Sequence, residues 1–232
     1  MSQIGSGLKI IGVSHLSQKS IEEVKRAILY EKPVAIALEL CPIRLQVLLN
    51  SRKTSISFKS VLKGGFSSFL GVVFAFLQHR LGKKIGIEPG EEMLIALRTA
   101  QEINATIFLI DQDIKFILAR LFERLTFRER MRLFCEIFLT FLPLGISRVN
   151  ITDLLNPETA ERYLHYFKKI LPNAYKVLVE DRDKTMSLSL INISKQFPLD
   201  SKIIAVVGLA HVKGIEENLE KIRRYEADYA IQ

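Results

Sequence analysis

The chain has 232 residues, with 33 Lys and Arg against 25 Asp and Glu, a formal net charge of +8. Apolar residues make up 48% and charged residues 25%, which excludes a disordered main state, and 12 Gly and 7 Pro exclude collagenous and low-complexity classes. The two cysteines, Cys41 and Cys135, neither frame a disulfide scaffold nor have a zinc-site spacing, so a reducing, cytoplasmic setting is expected. The opening residues MSQIGSGLKI lack the basic start and long apolar run of a signal peptide.

Taken in chain order, Leu8 to Val13 is a short apolar run without polar alternation, the pattern of a parallel strand covered on both faces. It runs into Gly12-Val13-Ser14-His15. A helix from Ser20 to Tyr30 follows, stopped by Lys32-Pro33. Val34 to Leu40 is a second strand with Glu39 near its end, and Pro42 to Leu49 a helix carrying Arg44. Asn50 to Gly65 reads as loop. Phe66 to Leu77 is strongly apolar, yet a membrane span needs about 20 such residues. Pro89 opens a helix with Glu91 and Glu92 in its first turn and Met93, Ala96, Leu97 and Ala100 on one face. Thr106 to Ile110 is a third strand, followed by Asp111, with Asp113 placed to cap the next helix.

From about 113 to 195 the strands stop. Ile114 to Arg124, Arg128 to Phe141, Pro157 to Ile170 and Asn173 to Ile193 all carry helical periodicity. Lys202 to Val207 restores the sheet, runs into Gly208-Leu209-Ala210-His211, and a last helix begins near Val212. The expected architecture is therefore a single α/β domain over residues 1–232. It has a mostly parallel central sheet of about four strands, flanking helices and a helical insertion. Phe66 to Leu77 and Leu133 to Leu144 are more apolar helix than such a layer needs, which suggests a homodimer interface or a membrane surface. The basic residues are not interleaved with aromatics, which argues against a nucleic-acid platform.

The candidate chemistry sits where parallel strands deliver it, at their carboxyl ends. Two strands end in Gly-x-x-His, placing His15 and His211 in matching positions among only 4 histidines. Glu39 ends an otherwise apolar strand, where a lone carboxylate is costly unless a cation, a metal or a shared proton offsets it. Arg182 falls in the apolar stripe Tyr175, Leu178, Val179, Met186, Leu190, Ile193, and a buried guanidinium needs an anion: Glu39, Asp111 or a substrate carboxylate. Arg44, one turn into its helix, can face the same strand ends. His79, His165 and Cys41 read as surface or packing residues.

These motifs resemble the TraB family of pheromone-shutdown proteins. The matching pieces are Gly12-Val13-Ser14-His15, Ala37-Leu38-Glu39-Leu40 with Arg44, Pro89-Gly90-Glu91-Glu92-Met93, and Leu109-Ile110-Asp111-Gln112-Asp113-Ile114. Glu180-Asp181-Arg182-Asp183 and Val207-Gly208-Leu209-Ala210-His211-Val212-Lys213-Gly214 complete the ordered set. Family members usually show Asp-Arg where this chain has Asp111-Gln112. The family is similar to the Tiki metal-dependent peptidases and to erythromycin-esterase-like and ChaN-like proteins. The resemblance implies a hydrolase acting on a peptide or related amide or ester. His15, Glu39 and His211 would hold a divalent metal (Mn, Co or Zn), and Arg182 and Arg44 would hold a carboxylate or oxyanion. A metal-free variant would use one His as general base with Glu39 orienting it. A different implication is a membrane-associated protein that sequesters a peptide or small ligand without turning it over.

Overall fold

The computed structural model describes residues 2–4, 7–13, 18–51, 90–133 and 157–230. His15, His79, Pro89, Cys135, Phe66 to Leu77 and all of Leu133 to Leu144 beyond Leu133 lie outside the described residues. The elements are β1 (Ser2–Ile4), β2 (Leu8–Val13), α1 (Gln18–Glu31), β3 (Ala35–Leu38), α2 (Pro42–Ser51), α3 (Glu91–Glu102), β4 (Thr106–Leu109) and α4 (Ile114–Arg124). There follow α5 (Pro157–Ile170), α6 (Pro172–Tyr175), a π turn (Lys176–Glu180), α7 (Asp181–Ser194), β5 (Ile203–Gly208) and α8 (Leu209–Ala230). All four apolar runs form strands, within a residue or two of the expected bounds, and no strand interrupts the described residues between 113 and 195.

The sheet order is β1-β2-β5-β3-β4. β2, β5, β3 and β4 are mutually parallel, with Val13 opposite Gly208 and Leu38 opposite both Val206 and Leu109. β1 adds an antiparallel edge through Ile4 opposite Leu8, a strand too short to stand out in the sequence.

Alternation along each strand divides the core in two. Ile11, Val13, Ile36, Leu38, Ile204 and Val206 face α1 and α3, where Val24, Ile28, Met93, Ala96 and Ala100 close the layer. Leu8, Ile10, Ala35, Ala37, Ile203, Ala205 and Val207 face α7 and α8 through Met186, Leu190, Ile215 and Leu219. The last helix of the helical stretch is thus one wall of the sheet's own core. Steps from β2 toward β4 carry helices on one face and the return to β5 on the other, as a fixed crossover hand requires.

A smaller apolar cluster of Ile117, Leu121, Leu125, Leu171, Ala174 and Val177 joins α4 to α6. Glu129 ties it together. Its carboxylate accepts the Thr126 N–H at 3.0 Å and the Thr126 hydroxyl at 2.9 Å, while Thr126 Oγ1 accepts the Glu129 N–H at 3.3 Å, a reciprocal helix-capping box. The other oxygen accepts the backbone N–H of Asn173 at 2.8 Å, in the first turn of α6. Asp113 caps α4, as expected, by accepting the Lys115 N–H at 2.9 Å. Among the described residues no helix is long and apolar enough to cross a membrane.

Candidate functional site

Three strands bring chemistry to one edge. β3 ends one residue before Glu39, β4 two residues before Asp111, and β5 passes without a loop into α8, whose first turn carries His211. That direct passage needs close packing against β2: a Cβ on Gly12 would lie 2.7 Å from Val212 and 2.8 Å from Leu209. The glycine of the first Gly-x-x-His pattern therefore has a packing role in seating the second. β2 ends at the same edge, and His15, which follows it, is outside the described residues.

Arg182 enters from α7 and joins the three. Its Nε donates to Asp111 Oδ1 at 2.9 Å, and Nη2 donates to Asp111 Oδ2 at 2.8 Å and to Glu39 Oε1 at 2.5 Å. Nη1 donates to the Leu178 carbonyl at 3.2 Å and contacts His211 Nε2 at 2.9 Å. A guanidinium has five N–H donors, and these contacts engage all of them. Burial opposes the charge, but Glu39 and the bonds to Asp111 outweigh it and hold the guanidinium firmly protonated. In this geometry Arg182 organises the site and has no donor left for a substrate carboxylate or oxyanion. Arg44 is placed differently: it donates to Asp111 Oδ2 at 3.2 Å with its side chain 34% exposed.

Arginine only donates, so the contact at His211 Nε2 requires that nitrogen to accept. The proton then sits on Nδ1, which lies 2.6 Å from Asp183 Oδ1. His211 is thereby held between a carboxylate behind and a guanidinium in front. Burial pushes the Asp183 carboxyl above the usual range, against the lowering pull of His211. Glu39 completes the ring: Oε2 accepts the Gly208 N–H at 2.6 Å, at the start of α8, where a helix amino end favours negative charge.

Sequence reasoning singled out Glu39, Asp111, Arg182, Arg44 and His211, and all five converge here. It missed Asp183. The buried face of α7 is Asp183, Met186, Ser187, Leu190 and Ile193, so Asp183 lies at the centre of the stripe and Arg182 at its margin. The π turn is the reason: its i→i+5 bonds insert a residue and shift the helical phase, so periodicity carried across from Tyr175 points at the neighbour. The two acids before Arg182 pair elsewhere. Glu180 pairs with Lys168 at 2.8 Å and Asp181 with Arg124 at 3.0 Å. Gln112 donates to Thr185 on α7 and bonds the end of β4 to that helix. Cys41 is buried packing. His165 is exposed on α5 rather than packed.

Among the described residues no three His, Cys, Asp or Glu side chains cluster to hold a metal ion, and the donor set suits a divalent ion only in the pair Glu39 and His211. Glu39 Oε1 and His211 Nε2 lie 3.5 Å apart, close to the roughly 3.3 Å between two ligands that each sit about 2 Å from one tetrahedral ion. The second imidazole nitrogen is tied to a carboxylate, as in metal-bound histidines generally. Arg182 contacts both atoms, and the single lone pair of Nε2 serves either the guanidinium or a metal.

The whole chain has relatives. Residues 5–228 match the model of the TraB/PrgY/gumN family. An uncharacterized protein of Methanocaldococcus jannaschii is 36% identical over 220 residues, covering 92% of this chain and 53% of that protein. TraB domain-containing proteins of Homo sapiens and Mus musculus are 23% and 22% identical, each match covering 94% of this chain and 64% of the relative. The chain thus spans between half and two thirds of the length of these relatives. By the extent of these matches, the chain belongs to the TraB/PrgY/gumN family.

Proposed function

We propose that this chain is a hydrolase acting on a peptide or a related amide or ester, with Glu39 and His211 at the reacting centre. One observation carries the reading: a carboxylate oxygen and an accepting imidazole nitrogen stand 3.5 Å apart at the carboxyl edge of a parallel sheet, both buried and held from behind. Bulk solvent is excluded from the two atoms that would handle a proton or bind an ion, which strengthens every charge effect on them.

A divalent metal (Mn, Co or Zn) would be held by Glu39 and His211, with His15 as the third ligand supplied by the chain after β2. Bound there, it would polarise the scissile carbonyl and lower the pKa of a bound water. The chain's own residues do the rest. Arg44, partly exposed, meets the substrate's carboxylate or the developing oxyanion. Arg182 holds Glu39 and balances the charges of Glu39 and Asp111, giving up its contact with His211 Nε2 to an ion. Asp183 keeps the His211 proton on the far side of the ring.

The test is turnover of a mixed peptide library by untagged protein, with and without a chelator, alongside metal analysis. Metal-dependent cleavage that vanishes in His211→Ala supports the proposal. Tight retention of peptides with no cleavage under any metal overturns it in favour of a sequestering protein.

A further inference from the structure

We propose that Asp183 is a positioning residue that fixes the tautomer of His211, and that Gly214 exists to admit it. The inference rests on the reading above only for the use to which the imidazole is put. Asp183 comes from α7 and His211 from α8, two helices that pack side by side on one face of the sheet. Where they cross, the carboxylate must fit between its own helix and the turn that carries the imidazole. Gly214, three residues after His211, is what leaves room. A Cβ there would stand 2.0 Å from Asp183 Oδ2 and 2.7 Å from its carboxyl carbon. No side chain heavier than hydrogen fits at position 214 while Asp183 stays where it is.

The placement has a chemical consequence. A neutral imidazole carries its proton on one nitrogen, and in water the choice is nearly free. Asp183 Oδ1 at 2.6 Å from Nδ1 rewards the Nδ1–H form with a charge-assisted bond. Arg182 Nη1 at 2.9 Å from Nε2 penalises the other form, which would set two donors against each other. The lone pair is therefore on Nε2, the nitrogen that meets Arg182 and lies 3.5 Å from Glu39, where the proposed chemistry needs an acceptor or a ligand. Asp183 itself is only 3% exposed and bonds the ring nitrogen away from Glu39. Ser187, one turn further along α7, donates to the Asp183 backbone carbonyl at 2.7 Å, with the Ile215 carbonyl on α8 a weaker, shared acceptor at 3.4 Å.

The experiment is nitrogen-15 NMR of the imidazole rings at a pH where they are neutral, with the His211 signals assigned by their loss in His211→Gln. It needs neither substrate nor metal. In the unaltered chain His211 should be almost wholly Nδ1–H. In Asp183→Ala the Nε2–H form should appear and the signals should move toward the averaged positions of a free imidazole. If Asp183→Ala does not fold, Asp183→Leu, close in shape and with no atom that accepts a hydrogen bond, carries the test and should likewise bring up the Nε2–H form. Circular dichroism checks that each variant is folded, since a merely structural role would alter melting and leave the tautomer as it was. An unaltered chain already in the Nε2–H form, or a folded Asp183 variant with an unchanged Nδ1–H signature, overturns the inference. Because the readout is the ring and not turnover, the outcome separates from that of the hydrolase reading: tautomer control without any hydrolysis leaves this inference standing and removes the other.

Discussion

Glu39 and Glu129 are both buried carboxylates, each 4% exposed, and they belong to different kinds of site. Glu129 is answered by backbone N–H groups, a hydroxyl and an amide, all from the helix ends it joins. Burial would raise its carboxyl, but those donors outweigh it and hold it below the ordinary value. Glu39 is answered by a guanidinium and by one N–H at the start of α8, and it faces an accepting imidazole nitrogen 3.5 Å away. Neutral donors, backbone, hydroxyl and amide, make a structural joint. A charged partner from a distant helix, shared with a second carboxylate and a histidine, makes a site whose electrostatics can be rearranged. Burial of an acid alone does not mark function; the nature and origin of its partners does.

The contrast should appear first in stability. Arg182→Ala leaves Glu39 and Asp111 buried without their cation, and breaking such a group typically costs about 3–5 kcal/mol. Denaturant unfolding should show the largest loss of any single substitution proposed here. Glu39→Gln should also destabilise, because Arg182 depends on the charge it removes.

Glu129→Ala removes a capping box and the acceptor at the start of α6, for an expected loss of about 2 kcal/mol. Metal binding and turnover per folded molecule should stay as in the unaltered chain. If Glu129→Ala abolished either, the division between joint and site would be wrong. Gly214→Ala should fall in a similar range, about 1–3 kcal/mol for forced overpacking, and unlike Glu129→Ala it should disturb the site.

Arg44→Ala should change stability by less than about 1 kcal/mol, as expected of a partly exposed ion pair. On the proposed reading it should raise KM for acidic substrates while leaving neutral ones nearly unaffected, a split that steady-state kinetics resolves. The smallest effect concerns acid lability away from both carboxylates. Glu31, held by Lys202 and Lys9, has its carboxyl lowered from 4.5 to about 2. A depressed folded value adds stability above the unfolded one, and that stability drains away as pH falls from about 4.5 to about 2. Comparing melting of Glu31→Gln with the unaltered chain should show a gap at neutral pH that closes across this window.

How far the sequence carries these conclusions differs by element. The four parallel strands were legible because each is an apolar run bounded by turn residues, and burial on both faces leaves no polar alternation to confuse the reading. Glu39, Asp111 and His211 were legible because a polar group at the end of such a run is out of character. Arg182 was found for the same reason, as a charge near an apolar stripe. Asp183 was not, because the π turn shifts the phase of its helix and the shift has no sequence marker. Glu129 was not, although Thr126-Phe127-Arg128-Glu129 has the spacing of a capping box; its reach to Asn173 is a tertiary contact. β1 gains its ladder only by pairing with β2.

The central claim is that Glu39 and His211 form one ion- and proton-handling centre that Arg182 holds and Asp183 orients. Calorimetric titration of untagged protein with Mn(II) or Zn(II) tests it most directly. The account predicts one binding event in the unaltered chain, retained in His165→Ala and Glu129→Ala, and lost in His211→Ala and in Glu39→Gln while both variants remain folded. Equal binding in His211→Ala and Glu39→Gln, or no binding in the unaltered chain at any pH where it is folded, would contradict it.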